Sequence, residues 1–195
     1  MKRAIAILSL AVIATGGLSA HPHVWIDSRV ELEVRENRIE AVRANWSFDP
    51  MFTEMIALDY GRGQSGEYSD SEIDSIRRGA FENLRHYEYF THIELNGRSV
   101  TVDSVERFSA RLNSDSFLEY SFELPLGVPI EDGTTLKVSM YDETFFTDIA
   151  NRDDYAGVYG MPEARYGKRL TRERHSIPIW GYMTRETVEF VFEVD

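Results

Sequence analysis

The chain has 195 residues, of which 33 are Asp or Glu and 21 are Lys or Arg, so its formal net charge is −12. So acidic a chain repels phosphate backbones and anionic headgroups, which argues against nucleic acid as a partner and favours cations as small ligands. Cysteine is absent, which excludes disulfide frameworks, thiolate catalysis, cysteine zinc sites and a cysteine-linked lipid anchor. The length and a hydrophobic fraction of 43% are typical of one globular domain.

The first twenty residues have the pattern of an export signal. Two basic residues precede an apolar run over residues 4–14, and the small residue Ala20 stands at the predicted cut. That run is too short to span a bilayer, and no later segment has the length and apolar character to do so. We therefore predict a signal peptide over residues 1–20 and a single soluble domain over residues 21–195. This domain is expected in the periplasm or outside the cell, without insertion into a membrane.

Cleavage after Ala20 makes His21 the first residue of the mature protein, two residues ahead of His23. An α-amine has a pKa of about 7.8, so part of it is neutral and free to donate an electron pair near neutral pH. Nitrogen donors of this kind suit Zn, Ni, Co or Cu. Pro22 has no N–H, which excludes the square-planar binding mode that uses deprotonated backbone amides. The segment predicts a divalent transition-metal site with His21 and His23 as ligands, and the alternative is an N-terminus with two solvated histidines.

The first predicted strand adds a carboxylate to this segment. Apolar and polar residues alternate over residues 24–34, which predicts a half-buried strand. In that alternation Asp27 shares a face with His21 and His23, where its carboxylate could orient a ligating imidazole. An exposed polar strand residue is the other interpretation of Asp27. A turn then leads into a second predicted strand that ends at Phe48.

Two helices are predicted next, as an insertion between strands. Asp49 is followed by a proline, the pattern of an N-cap acid with proline at the first helical position. Ser69 and Glu72 have the spacing of a capping box, and apolar residues follow at intervals of three and four. We predict a helical hairpin over about residues 50–88, with His86 on its solvated side.

The alternation of a sheet returns after the helices. An Asn-Gly pair at residues 96–97 predicts a tight hairpin, and apolar residues alternate with polar ones over residues 118–124, 136–140 and 188–194. Such strands with short turns predict a mainly β fold, either an antiparallel sandwich or an open barrel. The stretch 151–168, rich in Gly, Tyr and charge, is predicted to be a long loop.

One acid falls where an apolar residue is expected. The inward phase of residues 136–140 continues to Asp142. A charge at an inward position has to be neutralised or ligated, so Asp142 is the third candidate metal ligand. The alternative is a strand end at which this carboxylate meets a backbone N–H group or an Arg side chain.

Four motifs together resemble a bacterial family of exported domains of unknown function. They are His21-Pro-His-Val-Trp-Ile-Asp27, Trp46-Ser-Phe-Asp49, Tyr89-Phe-Thr91 with Asn96-Gly97, and Tyr141-Asp-Glu-Thr-Phe-Phe146. Members of that family are often described as periplasmic components of ABC-type or nickel/cobalt-type metal transport systems. The resemblance, which runs from His21 to about Ile149, implies transition-metal handling with a metal permease or ABC-type transporter as partner. Asp27, Asp49 and Tyr141 are the candidates for residues that support the ligands.

These observations lead us to expect a periplasmic accessory protein that binds a transition metal for an uptake or efflux system. No serine-hydrolase elbow, His-Glu-x-x-His motif or Gly-rich phosphate loop is present, so we do not expect an enzyme. One alternative is a copper enzyme with a histidine brace, in which the N-terminal His pairs with His92 or His86. The other is a metal-free interaction domain that docks a membrane partner. His175 lies in a basic run and is expected at the surface.

Overall fold

The described part of the chain folds into two five-stranded sheets. A computed structural model describes residues 23–63, 66–177 and 181–194. The strands in chain order are β1 (Val24–Arg35), β2 (Arg38–Phe48), β3 (Thr91–Leu95), β4 (Arg98–Val100), β5 (Glu106–Leu112), β6 (Leu118–Pro129), β7 (Thr135–Met140), β8 (Thr147–Tyr159), β9 (Tyr166–Ile177) and β10 (Gly181–Phe192). One sheet has the order β5-β6-β2-β1-β8 and the other β4-β3-β7-β10-β9. The predicted mainly β sandwich is confirmed, while the predicted signal peptide lies outside the described residues.

The core lies between the sheets because each sheet turns its apolar face inward. Leu32 of β1 and Phe190 of β10 belong to one buried cluster, although they come from opposite sheets. The Trp46 indole bridges the two layers, since its N–H group donates to the Met140 sulfur at 3.2 Å. Burial of each large apolar side chain contributes about 1.5–3 kcal/mol to folding. The alternation predicted for residues 24–34 is confirmed by the burial pattern of β1.

The helical insertion begins as predicted but its second helix is shorter. The two helices are α1 (Pro50–Tyr60) and α2 (Asp70–Ile76), and the predicted capping box closes at Ser69. Beyond α2 the backbone widens into a π-type turn over Arg77–Phe81 and then tightens into 3-10 turns over Glu82–Phe90. The insertion predicted at about residues 50–88 is therefore confirmed as a helical segment. Among the described helices, none has the length and apolar character needed to cross a membrane.

The prediction of a long loop over residues 151–168 is wrong. β8 continues through this stretch to Tyr159, and β9 starts at Tyr166 after one 3-10 turn at Glu163–Arg165. Each of these strands lies at the edge of its sheet. Edge strands carry more polar and charged side chains than central ones, because these discourage pairing with another chain. That composition weakened the apolar alternation on which the prediction depended. β8 also pairs with β1 in parallel, with a break in register between Ser28 and Val30.

Candidate functional site

The start of β1 is held in place by the loop between β7 and β8. The backbone N–H groups of His23 and Val24 donate to the Phe146 carbonyl at 2.8 and 3.3 Å. The His23 imidazole lies beside the Phe146 ring, with 5.0 Å between the ring centroids. Both side chains are exposed. The backbone of His23 is therefore fixed while its imidazole stays at the surface.

The buried Asp142 carboxylate binds residues of that loop through hydrogen bonds. Its side chain is buried, and its two oxygens accept three hydrogen bonds. Oδ1 accepts from the Thr144 backbone N–H at 2.8 Å and from the Thr144 hydroxyl at 2.7 Å, and Oδ2 accepts from the Thr147 N–H at 3.0 Å. The predicted inward position is confirmed, with two backbone N–H groups and the Thr144 hydroxyl as donors to the carboxylate. Asp142 thus supports the loop that binds His23, and its direct ligation of a metal stays a prediction.

Asp49 ties α1 to the same end of β1. Its Oδ1 caps the helix by accepting from the N–H groups of Met51 at 2.7 Å and Phe52 at 3.0 Å. Its Oδ2 accepts from the Trp25 N–H at 2.9 Å, while the Asp49 N–H donates to the Trp25 carbonyl at 3.0 Å. The predicted N-cap is confirmed, and the same carboxylate also positions the backbone two residues after His23.

Asp27, the remaining predicted residue of this segment, lies on the outer face of β1. His23, Trp25 and Asp27 alternate with buried residues and are exposed, as the predicted phase requires. Asp27 lies between Ser47 of β2 and Ala150 of β8 in the sheet register. Its carboxylate is therefore on the same side of the sheet as the His23 imidazole, separated from it by Trp25.

Tyr141 belongs to a stack of three side chains that sequence reasoning did not find. Its ring lies 3.9 Å from the His92 ring at an angle of 17°, and the Arg185 guanidinium carbon lies 3.9 Å from its centroid. Two groups at this distance cannot share one side of the ring, so His92 and Arg185 lie on opposite faces. Burial lowers the pKa of His92 and raises that of Tyr141. The Nε2 atom of His92 is buried and has no hydrogen-bond partner among the described residues.

This stack borders a groove of about 480 Å³ on the outer face of the β4-β3-β7-β10-β9 sheet. Its lining is charged, and its charges pair with one another: Lys137 with Glu94 at 3.2 Å, and Arg169 with Glu189. The Nε2 atom of His175 lies 3.5 Å from the Glu173 carboxylate. His175, expected at the surface, is partly exposed here. The groove escaped prediction because one wall is β9, and no strand was predicted over Tyr166–Ile177. The outward polar residues of β10, at every second position, are the signal that could have revealed it.

The described residues alone do not assemble a three-ligand metal site. No three side chains of His, Asp or Glu among them lie close enough together to hold one ion. His21, the first predicted ligand, lies outside the described residues. His86 is exposed in the segment Glu82–Phe90, as predicted, and His92 is held in the stack. The structure therefore places the exposed His23 side chain at the start of β1, two residues after His21 in the chain.

Comparison with known proteins gives a family match and two relatives. Residues 6–176 match the model of a family described as protein of unknown function (DUF1007), a span that includes β1 to β8 and nearly all of β9. An uncharacterized 15.5 kDa protein in the trpE 3' region of Spirochaeta aurantia is 35% identical over 136 residues, which are 70% of this chain and 96% of that protein. An uncharacterized protein of Haemophilus influenzae is 21% identical over 141 residues, 71% of this chain and 66% of that protein.

Proposed function

The chain belongs to the DUF1007 family of proteins of unknown function, and within that family we propose that it is an exported accessory protein of a transition-metal transport system. Its signal peptide, residues 1–20, is removed, and the mature N-terminal segment binds one divalent ion. His21 and His23 are the ligands, and the ion is Zn, Ni, Co or Cu. The partner is a metal permease or an ABC-type transporter, which exchanges the ion with this domain outside the cytoplasm.

The anchoring of His23 is the observation that carries this proposal. A ligand on a loose chain end has to be ordered when the metal binds, and that ordering costs about 1–2 kcal/mol per residue for the backbone. The two hydrogen bonds to the Phe146 carbonyl remove much of this cost for His23 before any ion arrives. Its imidazole is nevertheless exposed, so an ion reaches it directly from solvent.

The negative net charge of the chain also favours a cation as the bound species. The predicted signal peptide contains Lys2 and Arg3 and no acid, so the mature chain is more negative than the full-length charge of −12. A negative surface raises the local concentration of cations and speeds their encounter with the proposed site at His21 and His23. This effect acts on every cation, so selectivity depends on the nitrogen donors of the site.

The test is calorimetric titration of Zn(II), Ni(II), Co(II) and Cu(II) into mature protein with His21 as its first residue. We expect one ion per chain, with binding lost in a His21→Ala/His23→Ala variant and retained in His86→Ala, which removes an exposed imidazole elsewhere. Protein extended by one residue ahead of His21 should bind more weakly, because the α-amine is then displaced. Equal affinity in the wild type and the double variant would contradict the proposal.

A further inference from the structure

The groove on the outer face of the β4-β3-β7-β10-β9 sheet has a floor that the strand register fixes. Two neighbouring rows of ladder partners run across the sheet: His92, Ser139, Thr187 and Thr171 in one, and Glu94, Lys137, Glu189 and Arg169 in the other. All of these side chains line the groove. Val138 and Val188, which lie between the rows in the chain, are buried in the core. The lining side chains therefore project to the same side of the sheet, at the spacing of paired strands.

Arg185 is the one Lys or Arg of this lining without an ion pair among the described residues. Lys137 and Arg169 each pair with a glutamate of the groove. The ladder partner of Arg185 is Glu173, whose carboxylate lies 3.5 Å from the Nε2 atom of His175 instead. The three cations of the lining are balanced by three carboxylates, so the groove is neutral in a chain of net charge −12. Within this neutral lining, the Arg185 guanidinium is the positive group that has no counter-ion.

The Arg185 side chain is held in place by aromatic stacking. Its guanidinium carbon lies 3.9 Å from the centroid of the Tyr141 ring, and the His92 ring stacks on that same tyrosine at 3.9 Å. Stacking uses the face of a guanidinium and leaves its in-plane N–H groups to donate. Beside it, the hydroxyls of Ser139 and Thr187 lie 2.7 Å apart and share one hydrogen bond, so the second of their two hydrogens has no acceptor among the described residues. Arg185 and this hydroxyl pair are therefore neighbouring donors on one face of β10.

We propose that this groove binds a small organic acid, whose carboxylate is held by the Arg185 guanidinium and by a hydroxyl of Ser139 or Thr187. A planar carboxylate matches the fork of N–H donors that Arg presents, and a guanidinium already held in position loses little freedom on binding. Three glutamates line the groove, so a singly charged acid is repelled less than a phosphate of higher charge. The volume of about 480 Å³ is within the range of small-molecule sites. This site uses neither His21 nor His23 and goes beyond the proposed metal binding.

The experiment is an NMR titration of the mature apo protein with lactate, its neutral analogue lactamide and inorganic phosphate. We expect lactate to shift the backbone amide signals of β7 and β10 and the Arg185 Nε–H signal, and lactamide to shift none of them. Arg185→Gln should weaken lactate binding at least about tenfold, the lower end for hydrogen bonds to a charged group. Arg185→Lys should also weaken it, because lysine keeps the charge but lacks the fork. The matched control is Lys137→Gln, which removes the same charge from the same groove and should bind lactate nearly as the wild type does.

The competing explanation is that Arg185 only supports the Tyr141 ring. In that case Arg185→Gln lowers Tm while lactate leaves the wild-type spectrum unchanged, and that result would overturn the site. Equal weakening in Arg185→Gln and Lys137→Gln would overturn it as well, because net charge and not the guanidinium fork would then attract the acid. Tighter binding of phosphate than of lactate would refute the assignment to a singly charged acid. Lactate binding in His21→Ala/His23→Ala should equal that of the wild type, so loss of the metal site and loss of the acid site are distinguishable.

Discussion

The substitution Asp142→Asn tests whether a buried carboxylate holds the loop against which β1 begins. Asp142 accepts three hydrogen bonds, two at Oδ1 from Thr144 and one at Oδ2 from the Thr147 backbone N–H. Asparagine keeps the shape but replaces one acceptor oxygen by an NH₂ group, which is a donor. Whichever way the amide is oriented, at least one donor of Thr144 or Thr147 then faces another donor and loses its partner.

The cost follows from the hydrogen bonds. A buried donor without a partner costs about 1–3 kcal/mol, and the remaining bonds weaken because their acceptor is no longer charged. Together these effects amount to about 2–4 kcal/mol in the free energy of unfolding. For a domain of this size, each kcal/mol lowers Tm by roughly 2–4 °C. We therefore expect the Tm of apo Asp142→Asn to fall by roughly 4–16 °C.

The assay compares thermal melts and urea unfolding of the apo proteins, with Asp103→Asn as the control. Asp103 is exposed, and surface substitutions of this kind usually change stability by less than about 0.5 kcal/mol. A Tm for Asp142→Asn equal to that of the control would refute the conclusion that this carboxylate holds the loop.

Metal titration of the same variants decides the predicted role of Asp142 as a ligand. If it acts by holding the loop, Zn(II) affinity should fall less than in His23→Ala, because the imidazole is still present on a looser backbone. If it binds the ion directly, affinity should fall as far as in His23→Ala while the apo protein loses little stability. The second result would place Asp142 among the ligands and would require the loop to rearrange when metal binds.

Three further predictions concern other parts of the molecule. Burial lowers the pKa of His92, so below pH about 6.5 the unfolded chain takes up a proton more readily than the folded one. The urea midpoint of the wild type should therefore fall between pH 7.5 and pH 5.5, and the midpoint of His92→Gln should fall less. An equal fall of the midpoint in both proteins would contradict this. Glu123 is buried beneath Arg43 and Arg107, so Glu123→Gln should cost about 1–3 kcal/mol in urea unfolding, against little change in the exposed Glu54→Gln. Copper-loaded protein with ascorbate should release no C1- or C4-oxidised products from polysaccharides; their detection by mass spectrometry would favour the histidine-brace enzyme.

The parts of the fold that the sequence predicted are those with local signals. The turn between β1 and β2, the N-cap at Asp49 and the capping box at Ser69 each depend on residues within four positions of one another. The alternation of β1 depends on burial of one face, which also repeats at short range. The edge strands β8 and β9 and the parallel pairing of β8 with β1 depend on contacts between distant segments. No short pattern encodes these contacts, and the loop predicted over residues 151–168 covers most of β8 and the first residues of β9.

The candidate site divides in the same way. Strand phase predicted that Asp142 points inward, but a metal ion and a backbone N–H group neutralise a carboxylate equally well, so phase could not name its partner. The stack of His92, Tyr141 and Arg185 joins three strands or strand ends, and its members lie up to 93 positions apart in the chain, from residue 92 to residue 185. Only the register of β3, β7 and β10 brings them together.

Asp49 and Asp142, the two acids that hold the start of β1, both bear on which groups bind the proposed metal ion. Asp49 holds the Trp25 backbone directly, and Asp142 holds the His23 backbone through the loop that carries Phe146. Both carboxylates already accept backbone hydrogen bonds, so their recruitment as ligands would release donors that need partners. An ion bound by imidazole and amine nitrogens leaves those hydrogen bonds intact. The architecture around β1 therefore favours a site of neutral donors on a backbone that acids keep rigid.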